Sequence, residues 1–229
     1  MSISENIRTI QTRITTACYV INRNPAEVKV LLATKTIQPP LLIEALDSGM
    51  FLFGENRIQE ALPKVQALDG RGVEWHFIGH LQSNKVADAI GFAQCIQSVD
   101  RPSIIKSLHK ELEKSSKIMD IMIEVNVSGE ASKSGCTPDG VEELCRQIDT
   151  SVLNVVGFMT IGANTDDEVI VRRGFAKLRR IQAQAIEKEW VRESATELSM
   201  GMSHDLEWAV QEGSTMVRVG SAVFGNRKI

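Results

Sequence analysis

Eight apolar runs of strand length, each followed by a stretch with helical spacing, constrain what this 229-residue chain can fold into more than any other feature. Strands are predicted at 28–35, 51–54, 74–79, 95–99, 118–127, 152–161, 196–200 and 215–219. Helices fit between them near 38–48, 57–67, 84–91, 102–114, 138–149, 168–189 and 204–212, with a short one after 221. The run Val28-Lys29-Val30-Leu31-Leu32-Ala33 fills consecutive positions with mostly apolar side chains, as a parallel strand covered on both faces does. A strand–helix unit repeated eight times is the pattern of a (β/α)8 TIM barrel, and the length suits that α/β fold. A doubly wound open sheet is the runner-up, because alternation alone does not reveal closure. Ile3, Ile7, Ile10, Ile14, Ala17 and Ile21 recur at helical intervals and add a leading helix, within residues 1–24, packed on the barrel. No linker, low-complexity stretch or strong repeat divides the chain, so 1–229 reads as one domain.

Composition narrows the classes of function. A net charge of −3 argues against a nucleic-acid binder, which carries a basic excess on at least one face. The basic cluster of Arg172, Arg173, Lys177, Arg179 and Arg180 shares its segment with Val169, Phe175, Leu178 and Ile181, and reads as the solvated face of an amphipathic helix. Cys18, Cys95, Cys136 and Cys145 form no C-x-x-C pair, as expected of reduced thiols in a cytoplasmic protein. Neither a basic, apolar leader nor an apolar run of membrane-spanning length is visible, so no membrane partner is expected.

In such a barrel, the residues after each strand meet across one mouth, where the chemistry sits. Lys35 closes the first run. An amine held there against apolar neighbours loses hydration, which favours its neutral, nucleophilic form; the bland alternative is a lysine that snorkels into water. Further strands bring Glu55, Asn56, His76, His80, Glu124, Asn126 and Arg218 to the same end, with Asn56, Asn126 and Arg218 expected to point toward the axis. Each is unfavourable if buried without partners. The plain reading of Arg218 is an ion pair at a strand end, with Glu55 or Glu124.

The loops after the seventh and eighth strands have the chemistry of a phosphate site. Gly201 allows close backbone approach, Ser203 offers a hydroxyl and an amide, and Gly220 and Ser221 offer amides from the other side. Small residues also simply form turns. A lysine together with a phosphate cradle points to pyridoxal 5′-phosphate, held by its aldehyde as an imine (a Schiff base) on Lys35 and by its phosphate in these loops. Arg218 would then reach the ring nitrogen. It cannot accept that nitrogen's proton, so the ring stays neutral and is a weak electron sink.

Several stretches together resemble the pyridoxal phosphate homeostasis protein family, single-barrel relatives of the N-terminal domain of alanine racemase. They are Leu32-Ala33-Thr34-Lys35-Thr36, Phe53-Gly54-Glu55-Asn56-Arg57-Ile58-Gln59-Glu60, His76-Phe77-Ile78-Gly79-His80-Leu81-Gln82-Ser83-Asn84-Lys85, Glu124-Val125-Asn126-Val127-Ser128-Gly129-Glu130, Leu198-Ser199-Met200-Gly201-Met202-Ser203 and Gly213-Ser214-Thr215-Met216-Val217-Arg218-Val219-Gly220. The likeness runs from about residue 28 to 227. It implies a cofactor carried on Lys35, Asn56 beside the ring, Arg218 at the ring nitrogen, and Ser203, Gly220 and Ser221 around the phosphate, with Met200 among the contacts. Lys133 resembles a second family lysine considered for secondary cofactor binding. Thr34 stands where many relatives have Ser, and His204 where an acidic residue is common.

The family likeness implies a carrier or buffer of intracellular pyridoxal phosphate, affecting amino-acid and keto-acid balance, without established turnover. A two-base racemase needs a second proton acceptor, a tyrosine in alanine racemase. The one tyrosine here, Tyr19, falls in the leading helix. No stretch resembles the racemase's C-terminal β-domain, so a monomer is expected. His76 and His80 straddle a strand end without an evident third ligand, so no metal is expected. Pyridoxal phosphate-dependent apo-enzymes are the expected recipients. A low-efficiency amino-acid racemase or decarboxylase, and a plain protein-binding scaffold, are the alternatives.

Overall fold

A computed structural model describes residues 2–225; residues 1 and 226–229, the ends of the span read as one domain, lie outside the described residues. Helix α1 (Ile3–Val20) opens the chain. The barrel then alternates β1 (Lys29–Ala33), α2 (Pro39–Asp47), β2 (Leu52–Glu55), α3 (Ile58–Ala67), β3 (Glu74–Phe77), α4 (Val86–Ile90), β4 (Cys95–Val99), α5 (Pro102–Ser115) and β5 (Met119–Glu124). It closes with α6 (Val141–Arg146), β6 (Leu153–Met159), α7 (Glu168–Glu187), β7 (Glu197–Ser199), α8 (Leu206–Gln211), β8 (Met216–Val219) and α9 (Ser221–Phe224). All neighbouring strands are parallel, and β1 pairs with β8 in the register Leu31↔Arg218, so the sheet is a closed barrel and not the open alternative.

Local chemistry explains where these elements begin. Ser2 and Glu5 form a reciprocal capping box at the start of α1. Asp167 accepts from the amides of Val169 and Ile170 at the start of α7. Prolines open α2 and α5, where a missing N–H has no partner to lose.

The continuous apolar runs have the expected physical cause. Side chains alternate across a strand, and the two faces feed two apolar clusters. Leu31, Cys95, Met122, Met159 and Met216 fill the barrel interior. Leu32, Phe53, Phe77, Ile96, Phe158 and Leu198 pack outward against the helices. Gly54 falls within β2, and a Cβ there would lie 2.4 Å from Leu31 Cδ2.

Helix α1 adds an outer layer. Its Ile3, Ile7, Ile10 and Ile14 are buried, Arg13 pairs with Glu207 of α8 at 2.6 Å, and Asn6 Nδ2 donates to Val223 O of α9 at 2.8 Å. Among the described residues no helix is long and apolar enough to cross a membrane.

Candidate functional site

The strand bearing Lys35 ends earlier than its sequence run. β1 stops at Ala33, the amide of Thr34 still bonds Gly54 O at 2.9 Å, and the chain then turns through Thr36 at φ 66°. Such a backbone is unfavourable for a β-branched residue, and it is held here because Glu60 Oε2 accepts the Thr36 amide at 2.8 Å. Lys35 therefore stands exposed at the rim, not pressed among apolar neighbours as its place in the run suggested.

Beneath that turn lies a buried polar knot. Thr34 Oγ1 donates to Glu55 Oε1 at 2.5 Å, and Lys64 Nζ donates to Glu55 Oε1 at 2.5 Å and to Thr34 O at 2.7 Å. Glu55 is fully buried, and its Oε2 has no hydrogen-bond partner among the described residues. The pairing of Glu55 with Lys64 removes it as a partner for Arg218. Sequence reasoning missed Lys64, because a lysine inside a helix looks like any solvated one.

Arg218 points into the barrel mouth, buried at 5% exposure. Its Nη1 donates to Ser199 O and Ser199 Oγ, both at 2.7 Å, and its Nη2 donates to Thr160 O at 2.7 Å. Oxygens of neighbouring strand ends thus hold it, in place of the expected ion pair, and no salt bridge to it forms among the described residues. Burial brings the guanidinium down to about 10, against the opposing pull of Glu124 and Asp205. Glu124, buried in the same mouth, is pushed up to about 7 by desolvation first and by Asp100 second, with Arg218 and Arg101 opposing.

A cavity of about 200 Å³ brings Lys35, Ser203, Arg218, Gly220 and Ser221 together, with Thr36, Met202, His204 and Phe224 also lining it. Gly201 turns at φ 92°, and a Cβ there would lie 2.3 Å from Ala209 Cβ, so only glycine brings the Ser203 loop this close to α8. Ser203 Oγ accepts from the Ala222 amide at 3.4 Å and lies 3.5 Å from Ser221 Oγ. The two loops therefore present hydroxyls side by side. His204 lies exposed at the cavity, and the buried carboxylate of this loop is Asp205, which accepts the Met202 amide at 2.5 Å. Burial pushes that carboxyl up.

Other expected site residues lie elsewhere. Met200 is fully buried in the layer between sheet and helices, because alternation along β7 turns Ser199 inward and Met200 outward; Met202 lines the cavity instead. Asn56 lines an adjoining cleft of about 550 Å³ with His80, Gln82 and Lys85. Its backbone lies against Gly79, where a Cβ would be 2.2 Å from Asn56 O. Asn126 does not point to the axis. Its Nδ2 donates to Glu130 O at 2.9 Å and its Oδ1 accepts the Gly129 amide at 3.0 Å, which closes its own loop. Lys133 Nζ bonds Glu130 Oε1 at 2.7 Å and Gly162 O at 2.6 Å, joining the loops after β5 and β6. His76 is buried in β3 and His80 is exposed beyond it, so the two diverge. Tyr19 is exposed on the last turn of α1, where the chain approaches the start of β1 and not the mouth.

Residues 2–228 match the family described as alanine racemase, N-terminal domain. A pyridoxal phosphate homeostasis protein of Aquifex aeolicus is 38% identical, with each chain covered in full. The crystal structure of an unknown protein from Bifidobacterium adolescentis superposes with a TM-score of 0.91 at 34% identity, over 97% of this chain and 94% of that one. The structure of PipY from Synechococcus elongatus, with pyridoxal phosphate bound, superposes with a TM-score of 0.84 at 27% identity, over 98% of this chain and 100% of that one.

Proposed function

Since the chain belongs to the pyridoxal phosphate homeostasis protein family, built on the N-terminal domain of alanine racemase, we propose that it binds pyridoxal 5′-phosphate and buffers or delivers it without turnover of its own. The observation that supports this reading is the meeting of Lys35, Arg218, Ser203, Gly220 and Ser221 in one cavity at the barrel mouth. When bound, pyridoxal 5′-phosphate supplies an aldehyde that condenses reversibly with amines.

The residues present suit that group. Lys35 offers an amine at the open rim, reachable by a recipient. Ser203 and Ser221 offer hydroxyls and Gly220 a backbone without a side chain in the way, as a phosphate needs. Arg218 is held by three hydrogen bonds as a donor-only group and would face the ring nitrogen. Asn56 and Met200 take no part in this reading, lying in the adjoining cleft and the core. The Lys64–Glu55–Thr34 knot fixes the turn that carries Lys35.

A carrier is favoured over a racemase by the position of Tyr19, far along α1 from the mouth and turned to solvent. Its expected partners are apo-enzymes that need the cofactor. Residues 1–229 would work as one unit, as a monomer in the cytoplasm, where the four free cysteines stay reduced. Borohydride reduction of the loaded protein followed by peptide mapping should place the label on Lys35. The loaded protein should also reactivate a pyridoxal phosphate-dependent apo-enzyme. Label on another lysine, or catalytic turnover of an amino acid, would displace this proposal.

A further inference from the structure

Arg218 is one end of a hydrogen-bonded chain that crosses the barrel interior to its opposite end. Its Nη1 is 2.7 Å from Ser199 Oγ, Ser199 Oγ is 2.6 Å from Gln97 Oε1, Gln97 Nε2 is 2.6 Å from His76 Nδ1, and His76 Nε2 is 2.9 Å from Glu74 Oε1. Gln97 and Ser199 are fully buried, His76 is 4% exposed, and the Glu74 side chain is 57% exposed at the start of β3. Three strands beyond the arginine's own (β3, β4 and β7) each contribute an inward-facing polar side chain beside the apolar interior cluster of Leu31, Cys95, Met122, Met159 and Met216. Polar groups buried in such a place are unfavourable unless each finds its partner.

The direction of every bond in the chain follows from its two ends. A guanidinium only donates, so Ser199 Oγ accepts from Arg218 and must send its own hydrogen to Gln97 Oε1. That turns the amide nitrogen of Gln97 toward His76, whose Nδ1 must therefore accept. The imidazole hydrogen is then on Nε2 and points to the Glu74 carboxylate. Turning the Gln97 amide over would leave Ser199 with two donors facing it and its own hydrogen without a target. A proton on His76 Nδ1 would set two donors face to face across 2.6 Å.

We infer that Gln97, Ser199 and the Nε2–H tautomer of His76 form a polarised positioning chain, anchored on Glu74, that fixes the guanidinium of Arg218 toward the bound cofactor. The inference rests on the cofactor reading for Arg218 alone. The chain itself is a property of the ligand-free protein.

Nitrogen-resolved NMR of the imidazole rings in the ligand-free protein tests the polarity. His76 should carry its proton on Nε2 with Nδ1 bare; a proton on Nδ1 would overturn the chain. For positioning, Ser199→Ala should bind pyridoxal 5′-phosphate roughly tenfold more weakly, the loss of one buried hydrogen bond to a charged donor, and shift the absorbance of the bound cofactor. Ser199→Thr, which keeps the hydroxyl, should recover most of both. Wild-type affinity and absorbance in Ser199→Ala would end the positioning role while leaving borohydride labelling of Lys35, and so the cofactor reading, in place. Failure of that labelling in the wild type would remove the cofactor reading but not the NMR outcome, which also decides the matter if Ser199→Ala does not fold.

Discussion

Glu124 shows how much one buried carboxyl can govern. Burial raises it from 4.5 to about 7, so the folded protein holds its proton over a pH range in which the unfolded chain has already released it. Its contribution to stability is therefore fully present below about pH 4.5, declines as pH rises toward 7, and levels off above. The size is on the order of 3 kcal/mol, by the free energy of one pKa unit. Glu124→Gln, which cannot ionise, should be more stable than wild type at pH 8 and little different at pH 4.5, as read by urea unfolding at both values. An equal difference at the two would refute the assignment. Lys64 carries the converse lesson. Its amine compensates the buried Glu55 carboxylate, so Lys64→Met alone should lose roughly 3–5 kcal/mol in chemical denaturation, while a Glu55→Leu, Lys64→Met double variant regains most of it. A double variant no better than the single would show that the pair matters for something other than charge.

Elements of the barrel act on the cavity from outside it. Helix α9 starts with Ser221 at the cavity and is tied from behind by Asn6 of α1 through Val223 O. The leading helix is thus a brace for the proposed phosphate loops, and its capping box and four buried isoleucines secure it independently of that one bond. Asn6→Ala should leave the helical circular dichroism unchanged and reduce pyridoxal 5′-phosphate affinity about fivefold, the worth of one partly buried hydrogen bond. Unaltered affinity would mean that α9 keeps its place without the brace. Sequence periodicity located the leading helix and all eight strands, because alternating burial on two faces imprints itself on every position. It overran β1 by two residues and set Lys35 inside the strand. Hydrophobicity does not record where a backbone turns, and the turn here depends on Glu60 of another element.

At the scale of the molecule, the closed sheet makes ligand binding and stability one quantity. The cavity joins the start of the barrel, at Lys35, to its end, at Arg218 and Ser221, across the β1–β8 seam. Free pyridoxal 5′-phosphate at a hundred times its dissociation constant should stabilise the fold by about 2.7 kcal/mol, which for a chain of this length raises Tm by roughly 5–10 °C. Lys35→Ala should show a clearly smaller rise in the same thermal scan; an equal one would place the ligand elsewhere. The linear order of residues by itself determined the eight strand–helix units, the helix that leads them, and the strand ends that carry Lys35, Ser203, Arg218, Gly220 and Ser221, because burial periodicity and chain order are written residue by residue, while closure of the sheet came from the pairing of β1 with β8. Only the tertiary structure decided that Arg218 rests on Ser199 and Thr160 and not on a carboxylate, that Glu55 belongs to Lys64, and that Asn56 and Met200 stand outside the cavity. Those outcomes depend on which way each side chain faces when strands far apart in the chain close into a ring, and on which donor reaches a buried acceptor first in space.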